Sequence, residues 1–128
     1  MTTTYVLDGS RIGTLDDFWT LMGEAVNGPG GCFGRNLDSF VDCLRGGFGT
    51  PDDGGFTVEW RDHEVSRRTL GHPETARRLE GVLERCHPTN RARVAEELAQ
   101  ARSGRGPTLF DILTKIIEEG APGTLRLR

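Results

Sequence analysis

Long hydrophobic runs are missing from this 128-residue chain, and so is any clustering of cysteine or histidine. Its longest apolar stretches fall far short of the roughly 20 residues of a membrane-crossing helix, so no membrane partner is expected. The N-terminus, Met1-Thr2-Thr3-Thr4-Tyr5, carries neither a basic region nor an apolar signal segment, which argues against export. The three cysteines, Cys32, Cys43 and Cys86, are an odd number without metal-ligand spacing. They fit reduced thiols in a cytoplasmic protein better than a disulfide framework. His63, His72 and His87 are scattered, and Cys86-His87 matches no zinc pattern, so neither a metal nor another cofactor is expected. The run Gly28-Pro29-Gly30-Gly31-Cys32-Phe33-Gly34 lacks the GxxxxGK[ST] order and is followed by carboxylates that would repel a phosphate. It reads as an irregular loop.

What is present fits one soluble domain spanning residues 1–128, with 35% hydrophobic and 27% charged residues. Net charge is −3, but residues 1–60 sum to −6 and residues 61–128 to +3. Such asymmetry either arises by chance or points to a partner of opposite sign on one side.

Thr4 to Leu7 reads as a strand closed by Asp8-Gly9. Thr14, with Asp17 three residues on, caps a helix whose buried stripe is Leu15, Phe18, Trp19 and Met22. A second helix is expected from about Leu37 to Arg45, capped by Asn36 and stopped at Gly46-Gly47. Gly49 to Gly55 is a polar loop, Phe56 to Trp60 a strand, and Asp62 to Leu70 a short helix. Residues 74–103 read as an added helical hairpin. One stripe is Leu79, Val82, Leu83 and Cys86, the other Val94, Ala95, Leu98 and Ala101. Its outward faces carry Arg77, Arg78, Arg85, Arg91, Arg93 and Arg102 among glutamates. Thr108 caps a last helix through Gly120, and Thr124 to Arg128 is a final strand. Strands separated by helices require crossovers, hence a small three-stranded parallel sheet flanked by helices, an α/β fold.

The second helix holds the main candidate site. Leu37, Phe40, Val41 and Leu44 share its apolar face, while Asp38 and Asp42 lie one turn apart on another. Like charges at that spacing oppose helix formation by roughly 0.2–0.5 kcal/mol. Asp38 sits in the first turn, where the helix dipole favours an anion, but Asp42 lies beyond it. The pair is either a solvated face, a catalytic or metal-binding pair, or a docking face for a cationic surface. Few polar residues converge on it for catalysis, so a non-enzymatic role is expected.

The run Phe33-Gly34-Arg35-Asn36-Leu37-Asp38, with Asp42-Cys43-Leu44 and Gly46, resembles the signature of the barstar family, intracellular inhibitors of barnase-type ribonucleases. Leu7 to Ile12, Val58 to Arg61, Ile116 to Gly120 and Thr124 to Leu127 resemble further segments of that family in order. The resemblance implies a small parallel sheet flanked by helices and a monomer that plugs a basic nuclease cleft. It implies that Asp42 occupies the phosphate position of that cleft, that Asp38 supports it, and that Asn36 and Gly46 are further contacts. Cys32, Phe33 and Arg45 complete the expected protein-binding set. Cys32 replaces a family tyrosine, Val41 and Gly47 stand at positions of contact tryptophans, and Lys115 falls near an acidic contact. These departures imply a ribonuclease other than barnase itself, or a related nuclease toxin. The rival reading is a nucleic-acid or regulatory interaction module built on the arginine-bearing hairpin. Residues 71–106 sum to only +2, which favours a solvated, ion-paired face there over a nucleic-acid surface.

Overall fold

In the computed structural model, residues 3–51 and 55–128 are described. The elements are β1 (Thr3–Asp8), α1 (Leu15–Asn27), α2 (Leu37–Leu44), β2 (Phe56–Arg61), α3 (His63–Thr69), α4 (His72–Arg85), α5 (Arg91–Arg102), α6 (Leu109–Gly120) and β3 (Leu125–Leu127). Short 3-10 turns follow β1 at Gly9–Arg11 and join α4 to α5 at Pro88–Asn90. The sheet order is β1-β2-β3 with both pairings parallel, so the three-stranded parallel α/β fold is as expected. Of the polar loop expected at 49–55, residues 52–54 lie outside the described residues.

Burial alternates along β2. Phe56, Val58 and Trp60 are buried, whereas Thr57 and Glu59 are half-exposed on the opposite face. There Glu59 pairs with Arg61 at 3.3 Å and Arg128 at 3.8 Å, and Val6 of β1 is exposed. Parallel sheets are usually covered on both faces, so this open face departs from the common pattern. On the covered face Trp60 meets Phe18 of α1 (ring centroids 5.4 Å apart) and Phe110 of α6 (5.1 Å). Phe18 and Trp19 in turn meet Phe40 of α2, each at 5.5 Å. The core is thus an aromatic chain linking α6, the central strand, α1 and α2, and it holds α2 rigidly. Aromatic pairs at such separations add about 0.5–1.5 kcal/mol each beyond area burial. Gly120 lets α2 approach α6, since a Cβ there would lie 3.1 Å from the Leu44 side chain.

The capping boxes expected at Thr14/Asp17 and Thr108/Asp111 form. The α4–α5 hairpin builds a second, small core from Ala76, Leu79, Val94, Leu98 and Ala101. Two details differ from the sequence reading. Ala95 is exposed, because α5 needs only Val94, Leu98 and Ala101 to cover α4. Arg78 is half-buried rather than outward, because α4 turns that face toward α1 and α2.

The hairpin joins the main body through the first turn of α4. Glu74 accepts the Leu15 N–H of α1 at 2.8 Å, and Thr75 Oγ1 accepts the Leu109 N–H of α6 at 2.9 Å. Both side chains are buried and each satisfies an orphan donor at the start of another helix. Burial works against ionisation of Glu74. The Arg77 guanidinium and the Leu15 N–H outweigh it, leaving the carboxyl below its ordinary range.

Candidate functional site

Local chemistry builds α2 at a defined angle. Asn36 Oδ1 accepts the Ser39 N–H at 2.8 Å, and Ser39 Oγ accepts the Asn36 N–H at 3.2 Å, a reciprocal capping box. Gly34, just upstream, has φ +88°, and a Cβ there would lie 2.9 Å from the backbone of Phe40. Only glycine fits this close, left-handed turn. Phe33 does not join the surface. It is fully buried and packs edge-on to Phe40, so the sequence expectation of a contact side chain there is corrected: Phe33 anchors the loop in the core.

The polar residues do come together. Cys32, Arg35, Asn36, Asp38, Asp42 and Arg45 are all exposed along or beside α2, with Gly46 half-buried just past its end. Asp42 retains 66% of its side-chain exposure and has Arg45 Nη1 at 3.7 Å, a loose surface pair worth little in water. Asp38 lies one turn away, about 6 Å along the axis. Two exposed carboxylates so placed can accept charge-assisted hydrogen bonds from arginine, lysine or protonated histidine.

Of the two cysteines at this face, Cys32 is exposed and Cys43 is not. Cys43 is buried, and burial, then the neighbouring Cys32 and Asp42, raise its thiol above the ordinary value. A thiol held neutral is a poor nucleophile. Among the described residues no group of three or more histidine, cysteine, aspartate or glutamate side chains is placed to hold a metal ion. No helix among them is long and apolar enough to cross a membrane.

Two residues that the sequence reading passed over belong to this face. Phe48 is 53% exposed in the glycine-rich loop after α2, the most exposed large hydrophobic side chain among the described residues. Its flanking glycines, Gly47 and Gly49, were the available signal, since glycine-rich loops project side chains that no strand or helix buries. Asn27 is the second. Its side-chain amide donates to the carbonyls of Cys32 (2.8 Å) and Phe48 (2.9 Å), joining the loops on both sides of α2. A residue at a helix end gives no sequence sign of such a partner.

On the hairpin, Arg77, Arg93 and Arg102 pair with Glu74, Glu97 (3.1 Å) and Glu80 (3.2 Å). These arginines form the ion-paired face expected of them. Lys115 is exposed on α6, with Glu119 at 3.9 Å.

Comparison with individual curated proteins finds no match to the chain. A protein-family model described as Barstar (barnase inhibitor) matches residues 2–102. That span contains β1 through α5 and all of the acidic face, while the resemblance noted in α6 and β3 lies beyond it. With well over half of its length matched, the chain belongs to the barstar (barnase inhibitor) family.

Proposed function

We propose that this protein is a non-enzymatic inhibitor that seats α2 and its flanking loops in the basic active-site cleft of a ribonuclease. The observation that carries the reading is the exposed Asp42 carboxylate, one turn from Asp38, on a helix locked to the aromatic core and bracketed by clamped loops. A ribonuclease cleft holds phosphate with cationic side chains. A preorganised carboxylate imitates that anion with little entropy lost on binding. Asp42 is the central anion, and Asp38, Asn36 and Gly46 surround it. Arg45 releases Asp42 to the enzyme and turns to the rim. Phe48 supplies an exposed aromatic near the place where Val41 and Gly47 lack the family's tryptophans. The acidic N-terminal half also steers the protein toward a basic partner, speeding association. In this reading residues 1–128 act as one cytoplasmic domain with the hairpin as an addition, and the protein works as a monomer protecting its cell from a nuclease toxin.

The test is inhibition of a barnase-type ribonuclease by the parent and by Asp42→Ala. Removing the carboxylate leaves enzyme cations buried and unpaired, at a cost of about 2–5 kcal/mol in affinity. That magnitude comes from the barnase–barstar pair itself rather than from this structure. Equal inhibition by the variant would refute the mechanism. A panel of such enzymes that the parent leaves fully active would refute the inhibitor role.

A further inference from the structure

A groove of about 380 Å³ lies between the start of α1, the N-terminal end of α2 and the side of α4. Arg35, Arg77, Arg78 and Arg85 line it, with Trp19 and Leu37 as apolar walls. Arg77 is tied to Glu74, but no hydrogen bond or ion pair among the described residues engages the side chains of Arg35, Arg78 or Arg85. This sets them apart from Arg93 and Arg102, whose guanidiniums are paired. Three guanidiniums with no protein partner among the described residues, one just before α2 and two on α4, thus border one opening. Burial disfavours the charged form of Arg78, and only Glu97 and Asp38 act against it, both from beyond contact.

The floor of the groove is unusual as well. Gly81 sits inside α4, where only proline is a worse helix former. Core packing does not account for it. A Cβ there would meet nothing nearer than the Arg85 guanidinium, at 3.6 Å. Arg77, Gly81 and Arg85 follow one another at one-turn intervals on a single face. The missing side chain lets the Arg85 guanidinium lie against the helix surface and leaves the floor of the groove without a Cβ.

We propose that this groove binds a compact oligophosphate, the chemistry shared by a nucleoside triphosphate and the 5′-triphosphate end of an RNA. Planar guanidiniums bind phosphate oxygens in bidentate fashion, and several at once suit an anion of several charges. A volume of a few hundred cubic ångströms suits a ligand of this size. Asp16 lines the groove and Asp38 acts on Arg78 from beyond contact, so a long polyanionic strand running through would meet like charge. The site uses neither Asp42 nor Phe48 and does not depend on the inhibitor reading.

Isothermal titration of the full chain at low salt, with inorganic tripolyphosphate, a nucleoside triphosphate and a 5′-triphosphorylated RNA oligomer, tests it. The expected result is one-to-one binding of tripolyphosphate with a dissociation constant below about 1 mM. Arg35→Ala and Arg85→Ala each weaken it by about tenfold or more, the effect of losing one charge-assisted contact. Gly81→Glu abolishes it while the fold persists, because a glutamate one turn from Arg77 and Arg85 supports the helix as it fills the groove. Arg93→Ala binds as the parent does. A nucleoside triphosphate bound more tightly than tripolyphosphate identifies free nucleotide as the source. Preference for the phosphorylated RNA end identifies that source instead. The proposal is overturned by no binding of tripolyphosphate at about 1 mM, or by parental affinity in the arginine variants. It is also overturned if a hexaglutamate peptide or an RNA without terminal phosphates binds more tightly, which would assign the groove to an acidic protein segment or to a nucleic-acid backbone.

Discussion

The Asn27 side chain donates to the Phe48 carbonyl at 2.9 Å, across 21 residues of sequence. The same amide donates to the Cys32 carbonyl at 2.8 Å, so one side chain at the end of α1 ties together the loop that enters α2 and the loop that leaves it. Tyr5 adds a weaker tie, its hydroxyl donating to the Gly49 carbonyl at 3.4 Å. Gly49 itself has φ +125°, and a Cβ there would collide with the Asn27 carboxamide. The acidic face is therefore held at three points, by the core beneath α2 and by a clamp on each flanking loop.

Asn27→Ala removes two hydrogen bonds without touching the exposed carboxylates. A loss of about 1–2 kcal/mol in stability follows, at roughly 1 kcal/mol per net hydrogen bond. Denaturant unfolding reads that loss. Hydrogen exchange should show faster amide exchange in residues 28–36 and 45–51, with α6 unchanged. Unchanged exchange in those loops would mean that Asn27 does not order them.

Gly34→Ala destabilises the fold more than an ordinary surface change. The left-handed backbone costs about 1–3 kcal/mol for a residue with a Cβ, and the contact with Phe40 adds to it. Thermal unfolding of the variant, with Gly28→Ala as a comparison, checks this. Gly28 also has a positive φ, but no atom lies within 4 Å of its Cβ position, so the difference between the two variants isolates the steric part.

Phe48→Ala leaves stability within about 0.5 kcal/mol of the parent, as expected for a half-exposed side chain away from the core. Under the proposed function it weakens binding to an inhibited ribonuclease by about 1–2 kcal/mol or more, because buried aromatics dominate interface energy. Dissociation rates measured by surface resonance, alongside an unfolding curve, separate the two effects. A parental dissociation rate would exclude Phe48 from the interface.

Glu74 makes the junction of hairpin and body sensitive to acid. Its folded carboxyl titrates below the ordinary value of 4.5, so the stability it contributes is present above that pH. It is lost as the pH falls from 4.5 through the lower folded value. Glu74→Gln should cost about 1–2 kcal/mol at pH 7, a discounted figure because the partner Arg77 is largely exposed. The variant should also lose this part of the acid dependence. Urea midpoints of both proteins from pH 7 to pH 3 provide the measurement, and parallel curves would contradict the assignment.

Much of this architecture is legible locally. Thr14 with Asp17 and Thr108 with Asp111 announce two helices by caps that need only neighbours in sequence, and those caps form. Asn36 announces α2 in the same way, although Ser39 as its reciprocal partner escapes notice because glutamate or glutamine is the usual residue there. The alternation of Phe56, Val58 and Trp60 with polar residues marks the central strand.

The sequence by itself determined which segments are helix and strand, their order, and that Asp38 and Asp42 share one helix face. Each of these follows from spacing along the chain. Only the tertiary structure decided that Phe33 is buried while Phe48 is exposed, since both are phenylalanines in glycine-rich loops and burial depends on what packs over them. It also decided that Glu74 and Thr75 complete the starts of two distant helices, that Asn27 clamps the loops around the acidic face, and that Arg78 turns inward toward α2. Those contacts join residues separated by many positions. Their geometry is set by how the helices settle on the aromatic core, which no local pattern encodes.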